Sequence, residues 1–428
     1  MRCILVDGLS PVVTAWLQAL YSRRPGTILD ELEDLGGDIE QVLQSSSYIF
    51  DELYIVNFSR VHSTKRAETF LNKWAIGYNH ESIMDCGNIT LFLEDVPLYA
   101  AKAIQHHPLY NGIELSTRYI DFTTKSVSHK EAQPLMEVYD EVKNSLMEEA
   151  NRRFFRMNSS KLGEWLHSKG VGKKYIHDPK ILEKAKKAWV FDIARGYLPI
   201  SVVTNLSINV TIRTLREILC GLHNPTLGNG DIVLKHSNKK KQSLKTLACD
   251  IYKLLSEKYP TIDWIGGKYS ITVENLNNSI DASNVNKTTI DTRLVQTDNS
   301  YTGKRKYLQK IVNGVIDYGS WRDLARHRTA YGLPFVLPAF GSDPHPFYVN
   351  SAKREIPKAP MDYTLALLAH LVPVSFLMQE KHYDYFYRLR TNPAVHPTLR
   401  YFILQDKTIL NNFTPRVSRG KDDVTKES

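Results

Sequence analysis

The strongest constraint on the fold is an order of elements that occurs twice along the chain. In the first half, Asp95 and Pro97 are typical of the cap and first turn of a helix, which leads to Gln105–His107. In the second half, Ser320–Asp323 has the pattern of a capping box and opens a helix that leads to Arg326–Arg328. An order that returns in degraded form predicts an internal repeat.

A second pair of segments repeats in the same order. The sequence LPISV at Leu198–Val202 precedes a helix predicted over 211–220, which Gly221 is expected to stop. The sequence VPVSF at Val372–Phe376 also precedes a helix, which ends in Leu389–Arg390. We therefore predict a first copy over 1–224, an insert or interdomain connection over 225–305, and a second, degenerate copy over 306–428.

Local patterns predict most of the remaining elements. Strands are expected over 53–58 and 198–210, helices over 63–75, 131–153 and 244–255, and a strand pair around Gly266 and Gly267. Pro108 follows the helix of the first copy closely, so the residues after it are expected to lie in a loop.

That loop carries the most specific motif of the chain. The segment Gln105–Tyr119 ends in Glu-x-Ser-x-Arg-Tyr and resembles the signature of the flavin-dependent thymidylate synthases, where this ending follows Arg-His-Arg. Here Gln105–His107 replaces Arg-His-Arg, whereas the second copy keeps Arg326–Arg328 whole and lacks the ending. Each copy therefore keeps what the other lost.

Two further segments stand in the order of that family. Tyr78–Ile83 resembles its Gly-His-x-Ser-Ile segment, and Asp192–Pro199 resembles its Ala-Arg-x-x-Leu-Pro segment. Three such segments in the order of the family argue against a chance resemblance, which covers about residues 50–224. The resemblance implies an α+β fold, a duplicated version of the family fold with a mixed sheet flanked by helices in each copy.

The resemblance also implies a nucleotide site shared between copies, because the family builds its site from neighbouring subunits. The implied substrate-binding residues are Glu114, Ser116, Thr117, Arg118 and Arg195 of the first copy, with Arg326 and Arg390 of the second. Arg195 and Arg390 are the catalytic candidates, with Arg390 stabilising negative charge on the activated pyrimidine. The first copy has Leu222–His223 in place of its own late arginine, and the second has Ala369–His370 in place of its Ala-Arg pair.

The chemistry of Ser116–Arg118 supports phosphate binding independently. An arginine fork matches phosphate oxygens and a serine hydroxyl adds a short donor, so three consecutive donors in a loop could converge on one phosphate. The alternative is an ordinary turn in which an exposed Arg118 pairs with Glu114 or Asp121.

The resemblance implies that FAD is bound by His80, Ser82, Arg326, His327 and Arg328. His80 and Ser82 could instead be a polar pair at a helix end. The implied reaction is reductive methylation of deoxyuridine monophosphate (dUMP) to dTMP, with methylenetetrahydrofolate as the carbon donor and NADPH as the reductant of the flavin. No Gly-x-Gly-x-x-Gly or Walker loop is present in the sequence.

Departures from the family pattern leave the substrate open. Lys102 stands where the family usually has glutamine, Asp323 stands at the corresponding position of the second copy, and Gly112 looks like a one-residue insertion. Another deoxypyrimidine nucleotide, or transfer of a hydroxymethyl group, is therefore an alternative. A further alternative is a catalytically silent homologue that binds nucleotide or nucleic acid.

Charge and composition limit the classes of molecule that the protein is expected to bind. A formal charge of +9 favours an anionic partner, but the cluster Lys239–Lys241 is more typical of a solvated face than of a nucleic-acid site, so nucleic acid is not expected. The sequence has no apolar run long enough for a membrane helix, and Asp7 interrupts what a signal peptide would need, so we expect a cytoplasmic protein.

Cysteine usage and the family's assembly give two further expectations. The cysteines at 3, 86, 220 and 249 make no Cys-x-x-Cys pair, so we expect no metal site and no disulfide framework. The family is tetrameric with one copy per subunit, so a two-copy chain is expected to form a homodimer that binds a deoxypyrimidine monophosphate and a folate.

Overall fold

Apolar strands and amphipathic helices alternate along the chain. The computed structural model describes residues 2–8, 21, 25–34, 38–44, 52–57, 84–85, 88–107, 109–156, 179–224, 238–260, 262–266, 291–298, 306–325, 343–359, 365–392 and 395–405. The strands are β1 Arg2–Asp7, β2 Asp38–Gln44, β3 Glu52–Asn57, β4 Asn88–Pro97, β5 Val203–Thr211, β6 Asp291–Asp298, β7 Lys306–Asp317 and β8 Leu371–Gln379. The α-helices are α1 Ile28–Asp34, α2 Leu98–Gln105, α3 Gln133–Arg156, α4 Pro179–Ala194, α5 Ile212–His223, α6 Asn238–Lys258, α7 Tyr318–Leu324, α8 Pro346–Ala352, α9 Glu380–Arg390 and α10 Pro397–Leu404.

Two compact units divide the chain, and each takes residues from both halves of the sequence. The first comprises Met1–Gln133, Ile200–Glu274 and Met361–Thr364, and the second comprises Pro134–Pro199, Asn275–Pro360 and Leu365–Ser428. The predicted division into two copies and an insert stays a prediction.

The first unit is built on a mixed five-stranded sheet in the order β2-β3-β1-β4-β5. Strand β1 pairs in parallel with β3, and the other neighbours are antiparallel. The inner residues of β1, Cys3–Val6, are all buried, as expected for a central strand covered on both faces. Helix α6, which lies in the segment predicted as an insert, packs against α5 and β1.

The second unit contains an antiparallel sheet in the order β6-β7-β8. Helices α7, α9 and α10 pack against strands of this sheet, and α8 packs against α4. The chain therefore has a mixed sheet flanked by helices in one unit and an antiparallel sheet flanked by helices in the other. This agrees with the predicted mixture of helices and strands.

One backbone arrangement occurs in both units. In the first unit, the pairing of β4 with β5 ends at Pro97, the last residue of β4, and Val203, the first residue of β5. The N–H groups of Leu98 and Tyr99 then donate to the carbonyls of Val202 and Ile200. In the second unit, the pairing of β7 with β8 ends at Asp317, the last residue of β7, and Leu371, the first residue of β8. The N–H groups of Tyr318 and Gly319 then donate to the carbonyls of His370 and Leu368. Position 97 thus corresponds to 317, and position 203 to 371.

The match extends to the segments that lead into the strands. The backbone of Ser128 donates to the carbonyl of Ser201, as His345 donates to Ala369. The next pair of bonds, Val203 to Ser126 and Leu371 to Asp343, follows the same correspondence. Both β5 and β8 span nine residues, and each is followed directly by a helix.

Several sequence predictions about element ends are wrong in detail. Asp95 does not cap α2, because it lies in a bulge of β4 with a φ of 54°, and Pro97 takes the cap position. Helix α5 does not stop at Gly221 but runs through it to His223. Ser320 does not open α7, because the side chain of Asp317 accepts the N–H of Ser320 and caps the helix one turn earlier.

Other predicted elements are confirmed or lie outside the described residues. The helices expected over 131–153 and 244–255 are confirmed as α3 and the longer α6, and the strand expected over 53–58 is β3. The helix expected over 63–75 and most of the strand pair expected near Gly266 lie outside the described residues.

Candidate functional site

The signature loop, of which the structure describes residues 106–107 and 109–120, lies along the edge strand of the first sheet. Backbone hydrogen bonds of 2.7 to 2.9 Å join it to β5: the N–H groups of Asn209 and Ser207 donate to the carbonyls of Asn111 and Ile113, and the N–H of Leu115 donates to the carbonyl of Asn205. The loop therefore covers the backbone of β5 that β4 leaves unpaired, and its position is set by main-chain hydrogen bonds rather than by side chains alone.

Gly112 is required by this close approach. A Cβ atom at this position would lie 1.9 Å from the carbonyl oxygen of Ser207, and 2.5 Å from the hydroxyl of Tyr110, which itself donates to the same carbonyl. Because the obstacle is backbone, no side-chain rotation could relieve it. The residue that looked like an insertion is thus the point at which the loop contacts the sheet most closely.

Glu114 is held inside the loop by a buried ion pair. Its Oε2 lies 2.5 Å from Nζ of Lys102 on α2, and both side chains are at most 4% exposed. The amide nitrogen of Gln105 donates to the same carboxylate oxygen at 3.2 Å, and its amide oxygen accepts from Lys102. Two of the departures from the family pattern in this copy, Lys102 and Gln105, therefore contact the implied substrate residue Glu114.

The Ser116–Arg118 segment forms a tight turn. The hydroxyl of Ser116 accepts the N–H of Arg118 at 3.3 Å, and its carbonyl accepts from Tyr119 and Ile120. Thr117 is buried, whereas Ser116 and Arg118 are partly exposed. The turn thus presents Ser116 and Arg118, two of the three residues expected at a phosphate, at the surface of the first unit.

His107, at the start of the loop, is hydrogen-bonded to Glu217 of α5. Its Nδ1 accepts the N–H of Leu109, which leaves Nε2 as the protonated nitrogen that donates to Glu217 at 2.8 Å. Burial alone would raise the pKa of Glu217, but its hydrogen bond and charge interaction with His107, followed by Arg213, lower it. His107 therefore has a structural partner in the first unit.

Arg195 lies in the second unit, at the point where α4 ends in a 3-10 turn, Arg195–Tyr197. Its side chain is only 2% exposed. The guanidinium lies against Gly319, the second residue of α7, where an added Cβ would be 3.4 Å from Nε and Cζ of Arg195. Gly196 allows a closer approach by Tyr348, whose ring would be 2.2 Å from an added Cβ.

The two implied catalytic arginines meet on one aspartate. Nη1 of Arg195 lies 3.3 Å from the carboxylate of Asp323, and Nη2 of Arg390 donates to the main-chain carbonyl of the same residue at 2.9 Å. Arg195 is supplied by the sequence predicted as the first copy, and the other two by the second. All three belong to the second unit, so this part of the predicted shared site lies within one unit of the fold.

A buried polar cluster surrounds Arg195. Its Nη2 lies 3.5 Å from the hydroxyl of Ser320, and Asp317 accepts from the hydroxyl of Tyr348 at 2.8 Å. The hydroxyls of Ser320 and Thr398 share a hydrogen bond. His396, two residues before Thr398, is hydrogen-bonded through Nε2 to the carbonyl of Asp192. Within the described part of the chain, the buried Nε of Arg195 has no hydrogen-bond partner.

The electrostatics of the cluster keep Arg195 charged. Burial alone would lower the pKa of Arg195, but its interactions with Tyr348, Asp323, Asp317 and Asp192 raise it above the ordinary value. Burial alone would likewise raise the pKa of Asp317, and the charges of His396, Arg195 and His345 lower it instead. The result is a buried guanidinium that remains charged and whose Nε has no hydrogen-bond partner among the described residues.

The implied flavin-binding residues are not among those that the structure describes. His80, Ser82, Arg326, His327 and Arg328 lie outside the described residues, so the implied flavin-binding set stays a prediction. The expected meeting of Arg118 with Arg326 and Arg390 also stays a prediction.

Sequence reasoning missed the supporting residues of the cluster. Asp317 carried a usable signal, because an acid that ends an apolar strand and stands three residues before a serine is typical of a helix cap. Tyr348 and Thr398 carried none, because their role depends on contacts with residues far away in the sequence.

The family model of the thymidylate synthase complementing protein matches residues 40–261 of this chain, slightly more than half of its length. The chain belongs to this family. It is the family of the flavin-dependent thymidylate synthases, so the resemblance carried by the signature loop is confirmed. No curated protein matches the chain in sequence.

The match continues past residue 224 into α6, in agreement with the packing of α6 on α5 and β1. Classical thymidylate synthases use a cysteine nucleophile, whereas the flavin-dependent family does not. Of the described cysteines, Cys3 and Cys220 are buried and Cys249 is partly exposed, and burial raises the pKa of Cys3 further from that of a reactive thiol.

The described residues contain neither a membrane-spanning helix nor a cluster of metal ligands. None of the helices described is both long and apolar enough to cross a membrane. Within the same part of the chain, no group of three or more His, Cys, Asp or Glu side chains could hold a metal ion.

Proposed function

We propose that this protein is a flavin-dependent thymidylate synthase-type enzyme that converts dUMP to dTMP. The observation that carries the proposal is the convergence of Arg195 and Arg390, the implied catalytic arginines, on Asp323 in a chain that belongs to this family. An accidental resemblance would not be expected to bring together two arginines that lie 195 positions apart in the sequence.

The reaction would be a reductive methylation. Methylenetetrahydrofolate gives its one-carbon unit to C5 of the pyrimidine, and the C5 proton is lost. Bound FAD, reduced by NADPH, would supply the hydride that completes the methyl group. dUMP, methylenetetrahydrofolate and reduced FAD thus become dTMP, tetrahydrofolate and oxidised FAD.

The chain's own residues act mainly by electrostatics. Arg195 and Arg390 would hold the polar edge of the pyrimidine and stabilise the negative charge that develops on the ring when C5 is activated. Because Arg195 is buried among fixed partners, it needs little reorganisation as that charge forms. Ser116, Thr117 and Arg118 would bind the phosphate, and Glu114, with Lys102, would orient the nucleotide.

We further propose that the chain is a fusion of two divergent copies of the family fold. The repeated hydrogen bonds at the start of α2 and α7, and the equal lengths of β5 and β8, support it. In this correspondence Asp323 matches Ala103, not Lys102 as the sequence alone suggested, and Arg390 matches Leu222, so only one copy retains that part of the site. A homodimer of two-copy chains would then replace the family's tetramer, and light scattering would detect it.

The proposal is tested by measuring both the binding of FAD and the turnover of dUMP. Purified protein should take up FAD, absorb at roughly 450 nm as flavoproteins do, and release tritium from C5 of labelled dUMP when the folate and NADPH are added. Protein that takes up no FAD and gives no tritium release would contradict the proposal.

A related activity is favoured by one observation. Glu114 is already neutralised by Lys102 in the first unit, so the nucleotide contacts of this copy differ from those of the family. Transfer of a hydroxymethyl group, or action on another deoxypyrimidine nucleotide, would follow from such a change. Mass analysis of the product nucleotide distinguishes these activities from methylation.

A further inference from the structure

A chain of hydrogen bonds leads from Arg195 into the second unit, on the side away from its ion pair. Nη2 of Arg195 lies 3.5 Å from the hydroxyl of Ser320, and that hydroxyl lies 2.5 Å from the hydroxyl of Thr398. The Thr398 hydroxyl in turn lies 2.8 Å from Nδ1 of His396. All four residues are at most 2% exposed, so bulk water does not compete for these bonds.

The partners of His396 fix the direction of this chain. Its Nε2 lies 2.7 Å from the carbonyl oxygen of Asp192, which can only accept, so Nε2 carries the proton. Its Nδ1 accepts the N–H of Thr398 at 3.3 Å and is therefore the unprotonated nitrogen of a neutral ring. Because this nitrogen can only accept, the Thr398 hydroxyl donates toward it. The carboxylate of Asp317, a second acceptor, faces the same hydroxyl.

The Ser320 hydroxyl is consequently turned with its lone pairs toward Arg195. The single proton of Thr398 points to acceptors on its other side, so Ser320 is the donor in its bond with Thr398. A guanidinium can only donate, so Ser320 accepts from Arg195. With Asp323 at Nη1 and Ser320 at Nη2, both ends of the guanidinium face an acceptor, which fixes the plane of the group.

We propose that Thr398 is a positioning residue for Arg195: by accepting the proton of Ser320, it keeps the Ser320 oxygen as an acceptor for the guanidinium. This inference rests on the proposed function, in which Arg195 stabilises negative charge on the pyrimidine ring, and it names a residue that prepares this cation. If Thr398 only packed in the first turn of α10, its loss would lower stability without a specific effect on catalysis.

Thr398→Val and Thr398→Ser separate the hydroxyl from the packing of the side chain. Valine has nearly the shape of threonine but cannot accept the Ser320 proton, whereas serine keeps the hydroxyl. In Thr398→Val, kcat for dUMP should fall about 3- to 10-fold, the effect of one neutral hydrogen bond, and KM should change less than about twofold. Thr398→Ser should retain kcat within about twofold of the wild type. Thr398→Ala also removes the hydroxyl and replaces the valine variant if that variant does not fold.

Two further changes test whether the two hydroxyls act as one chain. Ser320→Ala should lower kcat by a factor similar to that of Thr398→Val, and the double variant should lose no more than either single variant. Thr204→Val is the matched control. Thr204 is a buried threonine of the first unit whose hydroxyl has no hydrogen-bond partner among the described residues, so kcat should stay unchanged.

NMR spectroscopy of protein labelled with ¹⁵N-arginine observes the guanidinium without turnover. The side-chain signal of Arg195, assigned through its absence in Arg195→Lys, should be sharp and protected from solvent exchange in the wild type and in Thr398→Ser. In Thr398→Val the same signal should broaden or exchange faster, because Ser320 no longer has a fixed orientation.

The inference is overturned if Thr398→Val keeps the kcat of the wild type, or if Thr398→Ser is impaired as strongly as Thr398→Val, since packing rather than the hydroxyl would then matter. Additive losses in the double variant with Ser320→Ala would show that the two hydroxyls act separately. A wild type that does not convert dUMP defeats the proposed function alone. The NMR signal then decides the inference, and an Arg195 signal that is identical in the valine and serine variants overturns it.

Discussion

Arg195 and Asp323, which stand 128 positions apart in the sequence, form an ion pair of 3.3 Å in which the guanidinium is almost completely buried. The pair joins the turn after α4 to the last turn of α7. A buried arginine is costly unless it is paired and hydrogen-bonded, so the neighbouring Ser320 and Asp317 are part of the same arrangement.

Removal of Asp323 should therefore destabilise the protein as well as impair binding. Asp323→Ala leaves the guanidinium of Arg195 without its ion-pair partner, and loss of one partner of a buried pair costs roughly 3–5 kcal/mol. We expect the lower end of that range in the free energy of unfolding, because Asp317 remains nearby. The measurement is chemical denaturation.

Asp140→Ala is the matched control for this change. Asp140 forms a surface pair with Lys143 at 2.9 Å, and such pairs contribute at most about 1 kcal/mol. Equal losses in the two variants would show that the ion pair between Arg195 and Asp323 contributes no more to stability than a surface pair does.

Gly112 should be intolerant of any side chain. Gly112→Ala places a Cβ against the carbonyl of Ser207, so the signature loop must move away from β5 and lose some of its backbone hydrogen bonds. We expect a loss of roughly 1–3 kcal/mol in unfolding free energy and weaker dUMP binding, because Ser116–Arg118 follows the same segment. Gly26→Ala is the control, since its Cβ would lie 3.8 Å from the nearest side chain, Asp30. A fully stable Gly112→Ala variant would refute the loop position.

The stability of the protein should fall as the pH drops below about 6.5. His370 is buried, its Nδ1 accepts the N–H of Leu367 at 2.7 Å, and its Nε2 donates to the carbonyl of Pro357. Burial lowers the pKa of His370, and its bonds to Pro357 and Leu367 offset this only in part. In the unfolded chain His370 therefore binds a proton near pH 6.5, whereas in the folded chain it binds one only at a lower pH. The free energy of unfolding consequently decreases as the pH falls through this window.

His370→Asn tests this dependence, because the amide oxygen can still accept from Leu367 but does not titrate. The slope of unfolding free energy against pH between about 5 and 6.5 should decrease by up to roughly 1.4 kcal/mol per pH unit. It should not reach zero, since burial also lowers the pKa of His345. Parallel pH curves for the variant and the wild type would exclude His370 as a contributor.

The sequence predicted local elements well wherever a short pattern decides the structure. The periodicity of apolar residues was sufficient for α3 and α6, and Pro108 correctly placed the signature in a loop. It failed at element ends: Asp95 was interpreted as a cap but lies in a bulge, because pairing of β4 with β5 extends two residues further than the local pattern indicates.

The site was predictable only in part. The arginines at 195 and 390 could be named from their motifs, but their common contact with Asp323 depends on α4, α7 and α9 packing in one unit, which no local pattern encodes. Gly112 was noticed as an irregularity, and only the distance to Ser207 explains it. Positions that act through distant neighbours, such as Tyr348, gave no signal at all.

Phosphate binding by the turn of the signature loop is a separate prediction. Arg118→Ala should weaken dUMP binding by roughly 1.5–3 kcal/mol, the contribution of a charge-assisted hydrogen bond. Arg354→Ala removes the same charge from an exposed pair with Glu141 and should leave the affinity unchanged. Titration calorimetry that shows equal affinities in the two variants would favour the alternative of an ordinary turn.

The final prediction concerns the contribution of both copies to one catalytic site. Arg118→Ala in the first copy and Arg326→Ala in the second should each abolish turnover, because each removes a cation that the other copy does not replace. Two self-sufficient copies would instead keep about half of the activity after either change. The same reasoning predicts one dUMP bound per chain, since the positions that correspond to Asp323 and Arg390 are Ala103 and Leu222. Tritium release and calorimetric stoichiometry measure these two quantities, and half activity in either variant, or two nucleotides per chain, would show that each copy has a site of its own.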